Sequence, residues 1–252
     1  MYRAYCFDLD GTLYNGTKPQ KEALQFVRNL QSKGIEPYYI TNNASVVAED
    51  VQKKLAHFGV EAPLSHIYTS AVAAAIYAKK HFPEERFLLS GEQQLTLAFE
   101  REGLHVVEED PSVVVMGLDR SITYEKLARV ALAIQNGATF ISTNDDRLIP
   151  TEKGLVPGNG SFVHLIQFAT RVEPIRIGKP EPFMLSLIQQ AGDFKKEEML
   201  MIGDNYDTDI QCGIRFGIDT VHVDTGVTRQ EEAMQMKERP TYCVRHLGEP
   251  FR

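Results

Sequence analysis

A chain of 252 residues, 43% of them hydrophobic, with a formal charge of −7, can bury a sizeable core as one large domain or as a core plus an inserted module. The negative balance lacks the basic footprint that nucleic acid demands, so no nucleic acid is expected as a main partner. No apolar run reaches the ~18–20 residues that span a bilayer, and no signal-type segment opens the chain, so no membrane association is expected. The three cysteines, Cys6, Cys212 and Cys243, are far apart and odd in number, which suits a reducing compartment and gives a cytoplasmic expectation.

In chain order, apolar runs alternate with helix-period segments. "AYCFD" reads as a strand, and "QKEALQFVRNLQSKG" as a helix with Leu24, Val27 and Leu30 on one face and a stop at Gly34. "IEPYYIT" gives a second strand, "SVVAEDVQKKLAHFG" a helix closed by Gly59, and "HIYTS" a short third strand. A second set follows: "RFLLSG", a helix through "EQQLTLAFEREG", "LHVV", "SVVVMG", the helix "TYEKLARVALAIQNG", and "TFIST". "DDRLIPTEKGLVPGNG" and "EPIRIGKPEP", rich in glycine, proline and charge, read as loop and turn. The helix "FMLSLIQQAG", the strand in "EMLMIGDNYDTD", the helix "IQCGIRFG" and the strand "DTVHVD" resume the first pattern. Such βα alternation predicts an α/β fold with a doubly wound parallel sheet. The core is expected over 1–78 and 178–252, with an inserted α/β module at 79–177.

In open parallel sheets, ligands bind beyond the carboxyl ends of the strands. There the chain places Asp8-Leu9-Asp10-Gly11-Thr12, Thr41-Asn42-Asn43, and Asp204-Asn205 with Asp207 and Asp209 close behind; Lys179 lies in the turn "IGKPEP". Paired carboxylates at a strand end repel and lose hydration, a cost that a divalent cation offsets. Asp8, Asp204 and Asp209 offer hard oxygen ligands, which suit Mg²⁺; calcium takes a larger, looser cage, and zinc would want histidine or cysteine. A metal-bound carboxylate stays ionised and can form an acyl phosphate, the role read for Asp8. Asp10 would donate a proton to the leaving oxygen and later accept one from water. Lys179 would neutralise Asp8 and the phosphoryl oxygens, which Thr41 and the backbone N–H of Asn42 would bind.

Plainer readings stand beside these. Thr41 could cap the next helix, a job for which Ser45 is better placed. Asp207 reads as the cap of a helix starting near Thr208, Lys179 alone as a surface lysine, Cys6 as buried and inert, and the seven histidines as core or surface.

Together, DxDGT at Asp8–Thr12, "ITNN", the lysine of "GKPEP" and "GDNYDTD" resemble the four signature motifs of the haloacid dehalogenase superfamily. The place of the insertion, with "TNDDRLIPTEKGLVPGNGSF", resembles its NagD-like branch (class IIA, C2-type α/β cap). The resemblance implies a Rossmann-like core with an α/β cap. It also implies a Mg²⁺-dependent phosphatase that hydrolyses small phosphomonoesters, such as sugar phosphates, p-nitrophenyl phosphate or nucleotides, through an aspartyl phosphate. Asp8 becomes the nucleophile and Asp10 the acid/base, with the Asp10 carbonyl joining the Asp8 and Asp204 side chains on the metal. Asp209 is a ligand or a support, and Thr41 and Lys179 bind the phosphoryl group. Asn144, Asp145, Asp146 and Arg147 fall in the cap's variable, substrate-facing region; residues 145–147 read as a solvated loop or as a segment closing over substrate. A homodimer is compatible with the resemblance, though no pattern requires one. A phosphotransferase or mutase on the same core, or a non-catalytic metabolite sensor, are the alternatives. A dehalogenase would need neither Asp10 nor metal, and a phosphonatase would need a Schiff-base lysine from another kind of cap.

Overall fold

The computed structural model describes residues 2–151 and 153–251. The chain divides into two compact units, one of Met1–Thr41, Ala48–Tyr68 and Lys179–Arg252, the other of Asn42–Val47 and Thr69–Gly178. The sequence pattern sets the first junction at 78–79. The structure instead gives the helix Ser70–His81 to the second unit, because its alanine-rich surface packs on the helix Gln93–Arg101.

In the first unit a six-stranded sheet runs in the order Tyr242–Val244, Asp219–Val223, Met199–Gly203, Ala4–Phe7, Tyr38–Thr41, Ile67–Thr69, its first five strands parallel. Strands covered on both faces must be apolar throughout, and every residue of Met199–Gly203 and Tyr38–Thr41 is buried. The helix Lys21–Gln31 buries Leu24, Val27 and Leu30, together with Ala23. Chain order reverses between Ala4–Phe7 and Met199–Gly203, and such a reversal opens a crevice at the carboxyl ends of the two strands. Their register pairs Phe7 with Ile202, so Asp8 and Asp204 emerge beside each other.

The second unit holds a five-stranded parallel sheet, in the order Ile175–Arg176, Thr139–Ser142, Val113–Met116, Arg86–Ser90, His105–Val106. The helices Tyr124–Gln135 and Asn159–Thr170 close one face over Leu88, Val114, Met116, Val130, Ile134, Phe140, Val163 and Ile166. The segment read as loop contains an antiparallel hairpin, Leu148–Thr151 with Gly154–Pro157. Gly154, at φ +118°, supplies the backbone conformation its turn needs. The second strand of that ribbon is largely exposed, so no alternation of apolar and polar residues marks it in the sequence. Among the described residues, no helix is long and apolar enough to cross a membrane.

Candidate active site

Asp8 follows its strand and donates its backbone N–H to the Ile202 carbonyl at 2.8 Å. Asp204 follows the neighbouring strand. Asp209 comes from the turn Tyr206–Ile210, a π-type turn in which the Ile210 N–H reaches back to the Asn205 carbonyl. All three carboxylates are buried, and one oxygen from each lies within 4.8 Å of the others. Lys179, only 2% exposed, donates to Asp8 Oδ1 at 2.5 Å and Asp209 Oδ1 at 2.7 Å, and lies 3.4 Å from the Ile40 carbonyl. The second oxygen of Asp209 accepts the Asn205 N–H at 3.0 Å.

Three acids against one ammonium leave this buried cluster anionic, and the protonation equilibria respond. Burial pushes the Asp8 carboxyl well above the usual carboxylate range; Lys179 opposes the shift, and the charges of Asp209 and Asp204 add to it. Asp204 is pushed up to about 6 by burial and by Asp209, against the pull of the Val227 N–H, the Thr12 hydroxyl and Lys179. Burial alone would lower Lys179, but Asp209 and Asp8 outweigh it and hold the ammonium above its ordinary value.

These directions fix a pH dependence. Without a divalent cation the folded chain keeps protons on Asp8 and Asp204 that the unfolded chain has released above pH ~4, so stability falls as pH rises from there through about 6. In EDTA the melting temperature should be higher at pH ~5 than at pH ~7.5, and Mg²⁺ should raise it more at the higher pH. Equal Mg²⁺ effects at both values would contradict the charge assignment.

Asp204 is held from several sides. Its Oδ1 accepts the Thr12 hydroxyl at 3.0 Å and its Oδ2 the Val227 N–H at 2.7 Å. Gly11 and Gly226 lie so near that a Cβ on either would overlap the carboxylate. Gly226 has no left-handed backbone, so Gly226→Ala tests the close approach alone. We expect a loss of kcat of about 10²-fold, since a misplacement of ~1 Å suffices for that. Steady-state kinetics beside a melting curve would show it; wild-type kcat would mean that the carboxylate position is unimportant.

Asp10 is exposed, and its Oδ1 accepts the Gly16 N–H at 3.1 Å across the turn that follows the first strand. Thr41 is buried at the end of its strand. Asn42 and Asn43 belong to the second unit. There the Asn42 carbonyl accepts the Ser70 hydroxyl at 2.6 Å and the Asn144 amide at 2.8 Å, and the Asn42 Nδ2 donates to Asp146 at 2.9 Å. Asn43 accepts both the N–H and the hydroxyl of Ser45 at 2.9 Å. Ser45 therefore does not cap the following helix, which begins only at Ala48. Asn144 is 4% exposed and engaged at both ends, its Oδ1 accepting the Asp146 N–H at 3.2 Å. Asp145 pairs with Arg176 at 3.2 Å, whereas Arg147 is exposed and is joined through its carbonyl to Gly158 and Ser161.

A second capping expectation is corrected as well. Asn205, not Asp207, caps the turn after the strand: its Oδ1 accepts the Asp207 N–H at 3.0 Å, because Asn205 keeps the extended backbone of a cap. Cys6 is fully buried, and burial raises its thiol far from reactivity. Sequence reasoning named no residue of the loop around Gly226 and Val227, whose contribution is a backbone N–H and a missing Cβ. The glycine three residues past the end of a strand, in "DTGV", is the single sequence signal for that loop.

The chain is also similar in sequence and fold to known proteins. A family model described as haloacid dehalogenase-like hydrolase matches residues 5–105, and one described as HAD-hydrolase-like matches 176–250. The 5'-nucleotidase YutF of Bacillus subtilis is 43% identical over 248 residues, spanning 98% of this chain and 97% of its own. An acid sugar phosphatase of Staphylococcus aureus is 43% identical over 250 residues, spanning 98% and 96%. The glycerol phosphate phosphatase of Mycobacterium tuberculosis, solved in complex with magnesium, superposes with a TM-score of 0.91 at 34% identity, covering 98% of this chain and 75% of that one.

Proposed function

This chain belongs to the haloacid dehalogenase-like hydrolase family, and from that premise we propose a magnesium-dependent phosphatase that hydrolyses small phosphomonoesters through an aspartyl phosphate on Asp8. The observation that carries the reading is the buried convergence of Asp8, Asp204 and Asp209 around Lys179.

The donor set fits a hard divalent cation. It is oxygen only, buried, and left with excess negative charge after Lys179 is counted. Asp8, Asp204 and the Asp10 carbonyl would hold the ion. Asp209 Oδ1 accepts from both Lys179 and Thr208 and its Oδ2 from the Asn205 N–H, whereas each Asp204 oxygen accepts one bond and keeps a lone pair for the ion, so the part proposed for Asp209 is to fix Lys179 as a counter-ion. Bound there, magnesium would supply positive charge for the phosphoryl oxygens and keep Asp8 ionised.

The remaining chemistry belongs to the chain. The Asp8 carboxylate attacks phosphorus, the bond from phosphorus to the leaving oxygen breaks, and Asp10 gives that oxygen its proton. Water then attacks the phosphorus of the acyl phosphate, losing a proton to Asp10, and phosphate leaves with Asp8 restored. Lys179, Thr41 and the Asn42 N–H stabilise the charge that builds on the transferring group. The names of the two curated relatives, a nucleotidase and a sugar phosphatase, support nucleotides and sugar phosphates as the substrate class. Asn144, Asp145 and Arg147 in the inserted unit are proposed as residues that bear on substrate choice.

The test is phosphate release from p-nitrophenyl phosphate, hexose phosphates and nucleoside monophosphates, with EDTA and after Mg²⁺ is restored. Release should vanish in EDTA, return with Mg²⁺, and carry one oxygen from H₂¹⁸O. Release that survives EDTA would remove the metal from the reading; no release from any substrate would remove the phosphatase.

A further inference from the structure

His222 lies inside an apolar run, "TVHVD", that the reaction leaves unexplained. The residue is fully buried on the strand Asp219–Val223, where the register sets it opposite Gly203. Its Nε2 is 3.1 Å from two oxygens, the backbone carbonyls of Asp204 and Thr228. Carbonyl oxygens only accept, so Nε2 carries the proton and donates to both. At the opposite nitrogen, Cys243 Sγ lies 3.4 Å from Nδ1, with the thiol as donor. Two acceptors at one end and a donor at the other admit a single tautomer, and burial favours the neutral ring.

The two carbonyls bracket the loop that encloses Asp204. The Thr228 N–H donates to the Asp204 carbonyl at 3.2 Å, and the Thr228 hydroxyl accepts the Tyr206 N–H at 2.9 Å. Between these ties Val227 presents its N–H to Asp204 Oδ2 at 2.7 Å, and Gly226 lies against the same carboxylate. The imidazole thus joins the backbone of Asp204 to the end of the loop that orients its side chain. An apolar residue could fill the space but could not hold the two carbonyls together.

We propose that His222 is a positioning residue of the cation site, setting the Asp204 carboxylate through its bonds to the Asp204 and Thr228 carbonyls. This rests on the reading of Asp204 as a magnesium ligand. Groups that act on a metal through its ligands typically change affinity by ~10–100-fold.

The experiment compares wild type, His222→Met and His222→Gln by calorimetric Mg²⁺ titration, by kcat and KM for p-nitrophenyl phosphate at saturating Mg²⁺, and by melting in EDTA. His222→Met should bind Mg²⁺ ~10-fold or more weakly and, like Gly226→Ala, lose kcat at saturating Mg²⁺ by up to ~10²-fold, while KM stays within ~3-fold of wild type. His222→Gln, which keeps an N–H at comparable reach, should recover most of the affinity. Unchanged Mg²⁺ affinity in His222→Met, or a fall in kcat with affinity unmoved, overturns the proposal. A wild-type chain that binds no Mg²⁺ overturns the reading of the site instead, and this inference with it. A measurement on the wild type covers the case in which the variants do not fold. The ¹H–¹⁵N correlations of the His222 ring should show a proton on Nε2 and should shift when Mg²⁺ is added. A ring with no proton on Nε2, or one indifferent to Mg²⁺, overturns the assignment.

Discussion

Asp8→Asn should lose phosphomonoester hydrolysis by ~10³-fold or more, and in EDTA it should melt at a higher temperature than wild type. The two effects come from one substitution because Asp8 does two opposed things. In the proposed reaction its carboxylate attacks phosphorus, and a neutral amide of the same shape cannot form the acyl phosphate. As a buried acid beside Asp204 and Asp209 it adds charge where water cannot solvate it, and burial is the largest cause of its raised pKa. An asparagine still offers an oxygen to Lys179, which now lies 2.5 Å from Asp8 Oδ1, so the bond survives while the repulsion falls. Stability should rise by ~1 kcal/mol or more at pH ~7.5, and the gain should shrink as pH falls and protonation removes the Asp8 charge. Phosphate release and melting curves in EDTA read the two effects separately. An Asp8→Asn protein that hydrolyses normally displaces the nucleophile; one that is inactive and also less stable points to a site whose charges were already balanced.

The contrast explains how much the sequence discloses. Asp8, Asp204 and Lys179 are legible because charge at the end of an apolar run is expensive, so ionisable residues placed there mark themselves. The parallel sheet is legible for a related reason: strands such as Met199–Gly203 are apolar throughout and bounded by turns. The helix Ser70–His81 is not. Its buried positions, Ser70, Ala71, Ala73, Ala74, Ala75 and Ala78, carry only small side chains, while the larger apolar Val72, Ile76 and Tyr77 are half-buried, so hydropathy does not mark the buried face. The hairpin at Leu148–Pro157 escapes because its second strand hides no face. In the site, Asp204 is oriented by the Val227 N–H, and every residue but proline has a backbone N–H; only the fold decides which one reaches a carboxylate. Asp209 shows the same limit. The motif supplies the residue but not its bonds to Lys179 and to the Asn205 N–H, on which the proposed counter-ion part rests.

Lys179→Met should be the most destabilising single change in the site. It removes the ammonium between Asp8 and Asp209, leaving buried carboxylates without their cation, which typically costs ~3–5 kcal/mol. Its sign with pH is fixed: with Lys179 gone the Asp8 carboxyl rises further, so the deficit is greatest at neutral pH and narrows in acid, where protonation removes the charge. Hydrolysis should be undetectable, because in the proposed reaction the same ammonium stabilises the transferring phosphoryl group. A double variant isolates the counter-ion role. Lys179→Met combined with Asp209→Asn removes one buried charge of each sign and should regain more than half of the lost stability while staying inactive. The coupling between the two sites, read from melting curves of the four proteins, should then exceed ~1 kcal/mol. If the double variant is no more stable than Lys179→Met alone, Asp209 does not hold Lys179. A direct place on the cation then becomes its part, and Asp209→Asn alone should weaken Mg²⁺ binding as strongly as Asp204→Asn does.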